Sequence, residues 1–112
     1  MLDQSKTCKA LLAAKTAAIA ADPGQEKDGG SCNFDTPTIC VLHADVKALK
    51  DAAHGAGVEL VPTDWLKMKG CKRFFVRTPM HGQANRRSVM AEASCKVLRD
   101  AGFRVCMYYR VD

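Results

Sequence analysis

The sequence predicts an α+β fold in which an antiparallel sheet carries its helices on one face. Three observations support that expectation. Short β-branched or alternating runs recur at TPTICVL, VELVPTDW, KRFFVRT and FRVCMYYRV. Three further segments repeat their apolar residues at helical spacing, and glycine or proline punctuates most junctions. A length of 112 residues suits one domain with one core, and a 47% apolar share is enough to fill it.

Ser5 is the expected cap of a first helix running to residue 21, closed by Asp22-Pro23-Gly24. Its apolar residues Cys8, Leu11, Leu12, Ala18 and Ile19 make a weak stripe, so this helix needs a neighbour to pack on. Residues 22–35 form a polar, glycine-bearing loop, the longest in the chain. TPTICVL, 36–42, is short and β-branched, the pattern of a buried strand. A helix follows over 44–56, with Val46, Leu49, Ala53 and Ala56 on one face, stopped at Gly57.

VELVPTDW makes a second strand that Pro62 weakens or places at an edge, because proline has no N–H to donate to a ladder. LKMKGC supplies a turn, and KRFFVRT, 72–78, a third strand. The third helix is expected over 85–101, with Met90, Ser94, Val97, Leu98 and Ala101 inward and Glu92, Lys96 and Arg99 opposite. Gly102 ends it, and 103–111 alternates as the last strand.

After the first helix the order is strand, helix, strand, strand, helix, strand. That is the ferredoxin-like, or split βαβ, arrangement with an added amino-terminal helix. Another α+β sheet with the same element list is its rival. The whole of 1–112 forms one domain, with no repeat or composition shift to divide it.

Lys and Arg number 17 against 12 Asp and Glu, a formal charge of +5, which favours an acidic or phosphorylated partner. Ordinary solubility charge explains the same number. No stretch approaches the ~18–20 apolar residues of a membrane span, and the amino terminus lacks the pattern of a signal peptide. A cytoplasmic protein without membrane contact is expected. The six cysteines include no C-x-x-C pair and only three histidines could join them, so reduced thiols and no metal or other cofactor are expected.

Alternation on the third and last strands places Arg73, Phe75, Arg77, Arg104, Tyr108 and Arg110 on the sheet side away from the crossover helices. Arginine interleaved with aromatic rings suits single-stranded nucleic acid, since guanidinium groups contact phosphate while rings stack on bases. The match to an RNA-binding consensus is poor, and the first helix lying over this face is an equal alternative.

A second candidate site is HGQANRR, 81–87, a loop entering a helix. Arg86 and Arg87 stand at the positive pole of that helix, which is unfavourable unless something offsets them. One answer is a bound phosphate or carboxylate held by His81, Gly82, Gln83, Asn85, Arg86, Arg87 and the first-turn amides. The alternatives are an intramolecular acid such as Asp45, Glu59 or Asp64, or extension of the side chains into water at a cost of only ~0.3–1 kcal/mol. Cys40 with His43, or His81 alone, offers a thin case for a small Cys/His hydrolase, and no catalytic residue is assigned.

The segments DGGSCNFDTPTI, HGQANRRSVMAEA and the terminal MYYRVD resemble small proteins carried by prophages and mobile elements of gut Firmicutes. The resemblance covers 28–112 and implies a mobile-element accessory protein, without implying any activity or site residue. Together these readings predict a non-enzymatic binding protein. Its expected partner bears phosphate: a nucleotide, a nucleic acid or a host nucleoprotein complex. An inhibitor of host defence, anti-CRISPR-like or nucleotide-sequestering, is one form of it; a nucleic-acid-binding regulator using the sheet face is the alternative.

Overall fold

A computed structural model describes residues 2–24, 35–63, 70–78 and 84–109. Helix α1 spans Gln4–Ala21, strand β1 Thr36–Leu42 and helix α2 Val46–Ala56, the last entered through a 3₁₀ turn at His43–Asp45. Then come β2 over Glu59–Pro62, β3 over Cys71–Arg77, α3 over Ala84–Asp100 and β4 over Arg104–Tyr108. The sheet order is β2-β3-β1-β4 with every pairing antiparallel, which is the ferredoxin-like topology. Pro62 closes an edge strand, as its missing N–H requires.

The cap of α1 is Asp3, whose carboxylate accepts the Lys6 N–H at 3.0 Å, so the helix begins before the expected Ser5. The exits of α2 and α3 share one solution. Gly57 takes φ +68° and Gly102 φ +96°, left-handed values that glycine adopts without a Cβ clash. Val58 N–H then reaches the Ala53 carbonyl at 2.9 Å and Phe103 N–H the Leu98 carbonyl at 3.1 Å, satisfying helix-end acceptors.

Ile39, Phe74 and Val76 are fully buried on the helix side of the sheet, against Leu49 of α2 and Leu98 of α3. Helix α1 packs against both α2 and α3, and its Leu11 and Ala14 join the same core. It is therefore a third member of the helical layer. The alternative in which it lies over the opposite sheet face is corrected. Its buried stripe is Thr7, Leu11, Ala14 and Ala18, a spacing of four, three and four, while Leu12 and Ile19 stand 44% and 55% exposed. Small residues let it sit close: a Cβ built on Gly55 of α2 would touch Cys8 Sγ at 3.5 Å.

Candidate functional site

The sheet face that no helix among the described residues covers is built by register. Cys40 of β1 pairs with Arg73 on one side and Arg104 on the other. One step along, Thr38 pairs with Phe75 and Cys106, and Thr36 with Tyr108. On the outer side Glu59 of β2 faces Arg77. Because strand side chains alternate, these positions share one face, opposite Ile39, Phe74, Val76 and Val105. The expected set Arg73, Phe75, Arg77, Arg104 and Tyr108 is thus brought together; Arg110 lies outside the described residues.

The strand beneath is small and β-branched. Thr36, Thr38 and Cys40 are buried, with no helix of the described residues over them and with Arg73, Phe75, Arg104 and Tyr108 flanking them on β3 and β4. Thr38 satisfies its hydroxyl by donating to the Cys106 carbonyl at 2.9 Å. Above this floor the Phe75 and Tyr108 rings meet with centroids 5.4 Å apart at an interplanar angle of 51°, a tilted pair. Both rings are half-exposed, and Arg77 and Arg104 are exposed beside them.

Electrostatics at the other end of the face centre on Cys40. Burial pushes its thiol up, hydrogen bonding and charge at Cys71 add to that, and the Arg73 and Arg104 guanidinium groups act against it. A thiol held protonated is a poor nucleophile, and His43 stands exposed in the 3₁₀ turn. Among the described residues no group of three or more His, Cys, Asp or Glu side chains could hold a metal ion. Cys8, Cys40, Cys71, Cys95 and Cys106 are free thiols.

The second expected site resolves differently. Arg86 is clamped by Asp22, with Nε and Nη2 donating to the two carboxylate oxygens at 2.8 and 2.9 Å. Arg87 Nε donates to the Asp35 carbonyl and its Nη2 to Thr36 Oγ1, both at 3.2 Å. The acid that offsets Arg86 is thus Asp22, outside the set Asp45, Glu59 and Asp64. Asp45 instead accepts the Leu2 N–H at 3.1 Å. His81, Gly82 and Gln83, and the side chain of Asn85, lie outside the described residues.

Two contributors escaped the sequence. Asp22 looked like a helix breaker, yet an acid at a helix carboxyl end, followed by an arginine at a helix amino end, is a detectable pair of misplaced charges. Arg99 was assigned to the solvent side of its helix, yet it lines a groove with Arg73 and Arg104. No helix among the described residues is long and apolar enough to cross a membrane. Comparison with protein-family models, with curated proteins and with solved structures finds no match to this chain.

Proposed function

We propose that this chain is a non-enzymatic binding module that holds single-stranded nucleic acid across its uncovered sheet face. The observation that carries this reading is the half-exposed Phe75–Tyr108 ring pair, with Arg73 and Arg104 toward one end and Arg77 toward the other. Rings of this kind stack on bases, and guanidinium groups track the phosphates. With Arg86 and Arg87 engaged by Asp22, Asp35 and Thr36, support for a phosphate-bearing partner rests on this face rather than on the start of α3. In the mobile-element setting that the sequence resemblance implies, the strand would belong to a host nucleoprotein complex.

Fluorescence anisotropy with a labelled 12-nucleotide strand tests the proposal. Three arginine–phosphate contacts should give log affinity a slope of about −2 against log salt, since single strands lose about 0.7 per contact. Phe75→Ala should weaken binding by about 1–3 kcal/mol. Binding that ignores both salt and Phe75 would sink the reading.

A further inference from the structure

Cys40 and Cys71 come from different strands and meet on the same side of the sheet. Cys40 pairs with Arg73 and Leu42 with Cys71, so the two cysteines are diagonal neighbours across the β1–β3 ladder, on the side that also carries Arg73 and Phe75. Diagonal Cα atoms in such a ladder stand about 7–8 Å apart, a gap that only side chains leaning towards one another can span. These two do lean together: the Cys40 thiol shares a hydrogen bond with Cys71. Both also line one cavity of about 190 Å³, beside Leu42, Asp45 and Phe103. Cys106 is the other diagonal neighbour of Cys40, on β4, but its sulfur lies 3.3 Å from Thr38 Oγ1. All three cysteines are thiols in this structure.

We infer that Cys40 and Cys71 are a redox-active pair that closes to an intramolecular disulfide by exchange with a low-molecular-weight disulfide such as glutathione disulfide. Cys71 is half-buried and Cys40 only 7% exposed, so Cys71 meets the oxidant first. Its thiol gives a proton to solvent, and the thiolate attacks one sulfur of the oxidant, forming a mixed disulfide and expelling a small thiolate that takes up a proton. Cys40 then loses its own proton, attacks the Cys71 sulfur and expels the second small thiolate, which is protonated in turn. Two protein thiols are oxidised, one small disulfide is reduced to two thiols, and two electrons pass between them. Burial holds the Cys40 thiol protonated and slows this second step, whereas contact with Cys71 makes it intramolecular. Closing the bond draws the diagonal strands together, since disulfides favour Cα separations of about 4.4–6.8 Å. A bond formed against that resistance is readily re-reduced, which suits a reversible switch rather than a permanent tie. This pair stands apart from the sheet-face reading and does not need it.

The test equilibrates the full chain in glutathione buffers of rising disulfide content, quenches it with acid and maps its bonds by intact and tandem mass spectrometry. The unsubstituted protein should lose two hydrogens, with Cys40 joined to Cys71, and dithiothreitol should restore them. That map is read from the parent chain, so it does not depend on any variant folding. In Cys40→Ser the second step has no thiol to carry it, and a glutathione adduct should accumulate on Cys71 instead. Cys71→Ser should keep all of its hydrogens. A loss of two hydrogens that persists in Cys71→Ser, or a bond that joins Cys40 to Cys106 in the parent, overturns the inference. No intramolecular disulfide even in a large excess of glutathione disulfide overturns it as well.

Discussion

Asp22 and Arg86 each occupy the wrong pole of their own helix and neutralise one another. Asp22 caps the carboxyl end of α1, where the helix dipole already presents negative charge, and Arg86 lies in the first turn of α3, where it presents positive. Their contact places the carboxyl end of α1 beside the amino end of α3, so two local penalties become one bidentate ion pair. The pair is mostly enclosed, with side chains 13% and 22% exposed. Asp22 also accepts the Gly24 N–H at 3.0 Å, which ties down the exit of α1.

Removing either partner should therefore destabilise the fold. Arg86→Ala or Asp22→Asn is expected to cost about 1.5–3 kcal/mol, the range for hydrogen bonds to charged groups. The double variant should cost less than the sum of the two, because it leaves no lone charge behind. Urea unfolding of all four proteins gives the coupling energy. Single variants as stable as the parent would show that the clamp contributes nothing.

The sheet was legible because its signal is binary. A period of two in KRFFVRT sets Phe74 and Val76 on one side and Arg73, Phe75 and Arg77 on the other, and only one register buries Phe74 and Val76 while turning Arg73 and Arg77 outward. The first helix was not legible in the same way. Alanine stands on every side of it, so hydropathy could not separate buried Ala14 and Ala18 from exposed Ala13 and Ala20. Burial there is decided by the partners α2 and α3, which no local pattern reports. The groove arginines were half legible: strand alternation found Arg73 and Arg104, but helix periodicity placed Arg99 in water. A long side chain at the end of a helix reaches past the face that its Cα occupies.

Phe74 and Phe75 are chain neighbours on opposite faces, and their substitution should separate core from surface. Phe74 is fully buried, with Lys50 and Lys72 ammonium groups 5.9 and 6.0 Å from its ring centroid. Phe74→Ala should cost about 3–5 kcal/mol of stability. Phe75→Ala should cost less than that, since its ring is only partly buried. Equal losses in thermal or denaturant melts would mean that Phe75 is a core residue and that stacking on it is unavailable.

Close approach of α1 makes its small residues sensitive to added volume. Ala14 is 0% exposed between the two crossover helices, so Ala14→Leu should cost about 1–3 kcal/mol through overpacking. Leu12→Gln, at a position 44% exposed, should fall within about 0.5 kcal/mol of the parent. A reversed order in chemical denaturation would put the buried stripe of α1 on its other face.

The last prediction concerns the end of β4, where two adjacent tyrosines diverge. Tyr108 joins Phe75 on the uncovered face, while Tyr109 turns to α3 and donates its hydroxyl to Glu92 Oε1 at 2.8 Å. That bond to Glu92, with lesser contributions from burial and from the Glu92 charge, raises the Tyr109 phenol from an ordinary value of 10.0 to about 12. A group whose folded value exceeds its unfolded value stabilises the fold while it stays protonated in both states. The contribution is therefore complete below about pH 10 and is lost as the pH rises through about 12, where Tyr109 ionises in the folded chain too. Tyr109 is 57% exposed, so solvent screening keeps the stability effect small and the titration itself is the better readout. In Tyr108→Phe, which leaves one tyrosine of the two, the phenolate absorbance should rise with a midpoint near pH 12. Adding Glu92→Gln removes the acceptor charge and should return the midpoint most of the way to 10. A midpoint already near 10 with Glu92 intact would mean that the bond does not hold in solution, and that the tether fixing the end of β4 against α3, behind Tyr108, is absent.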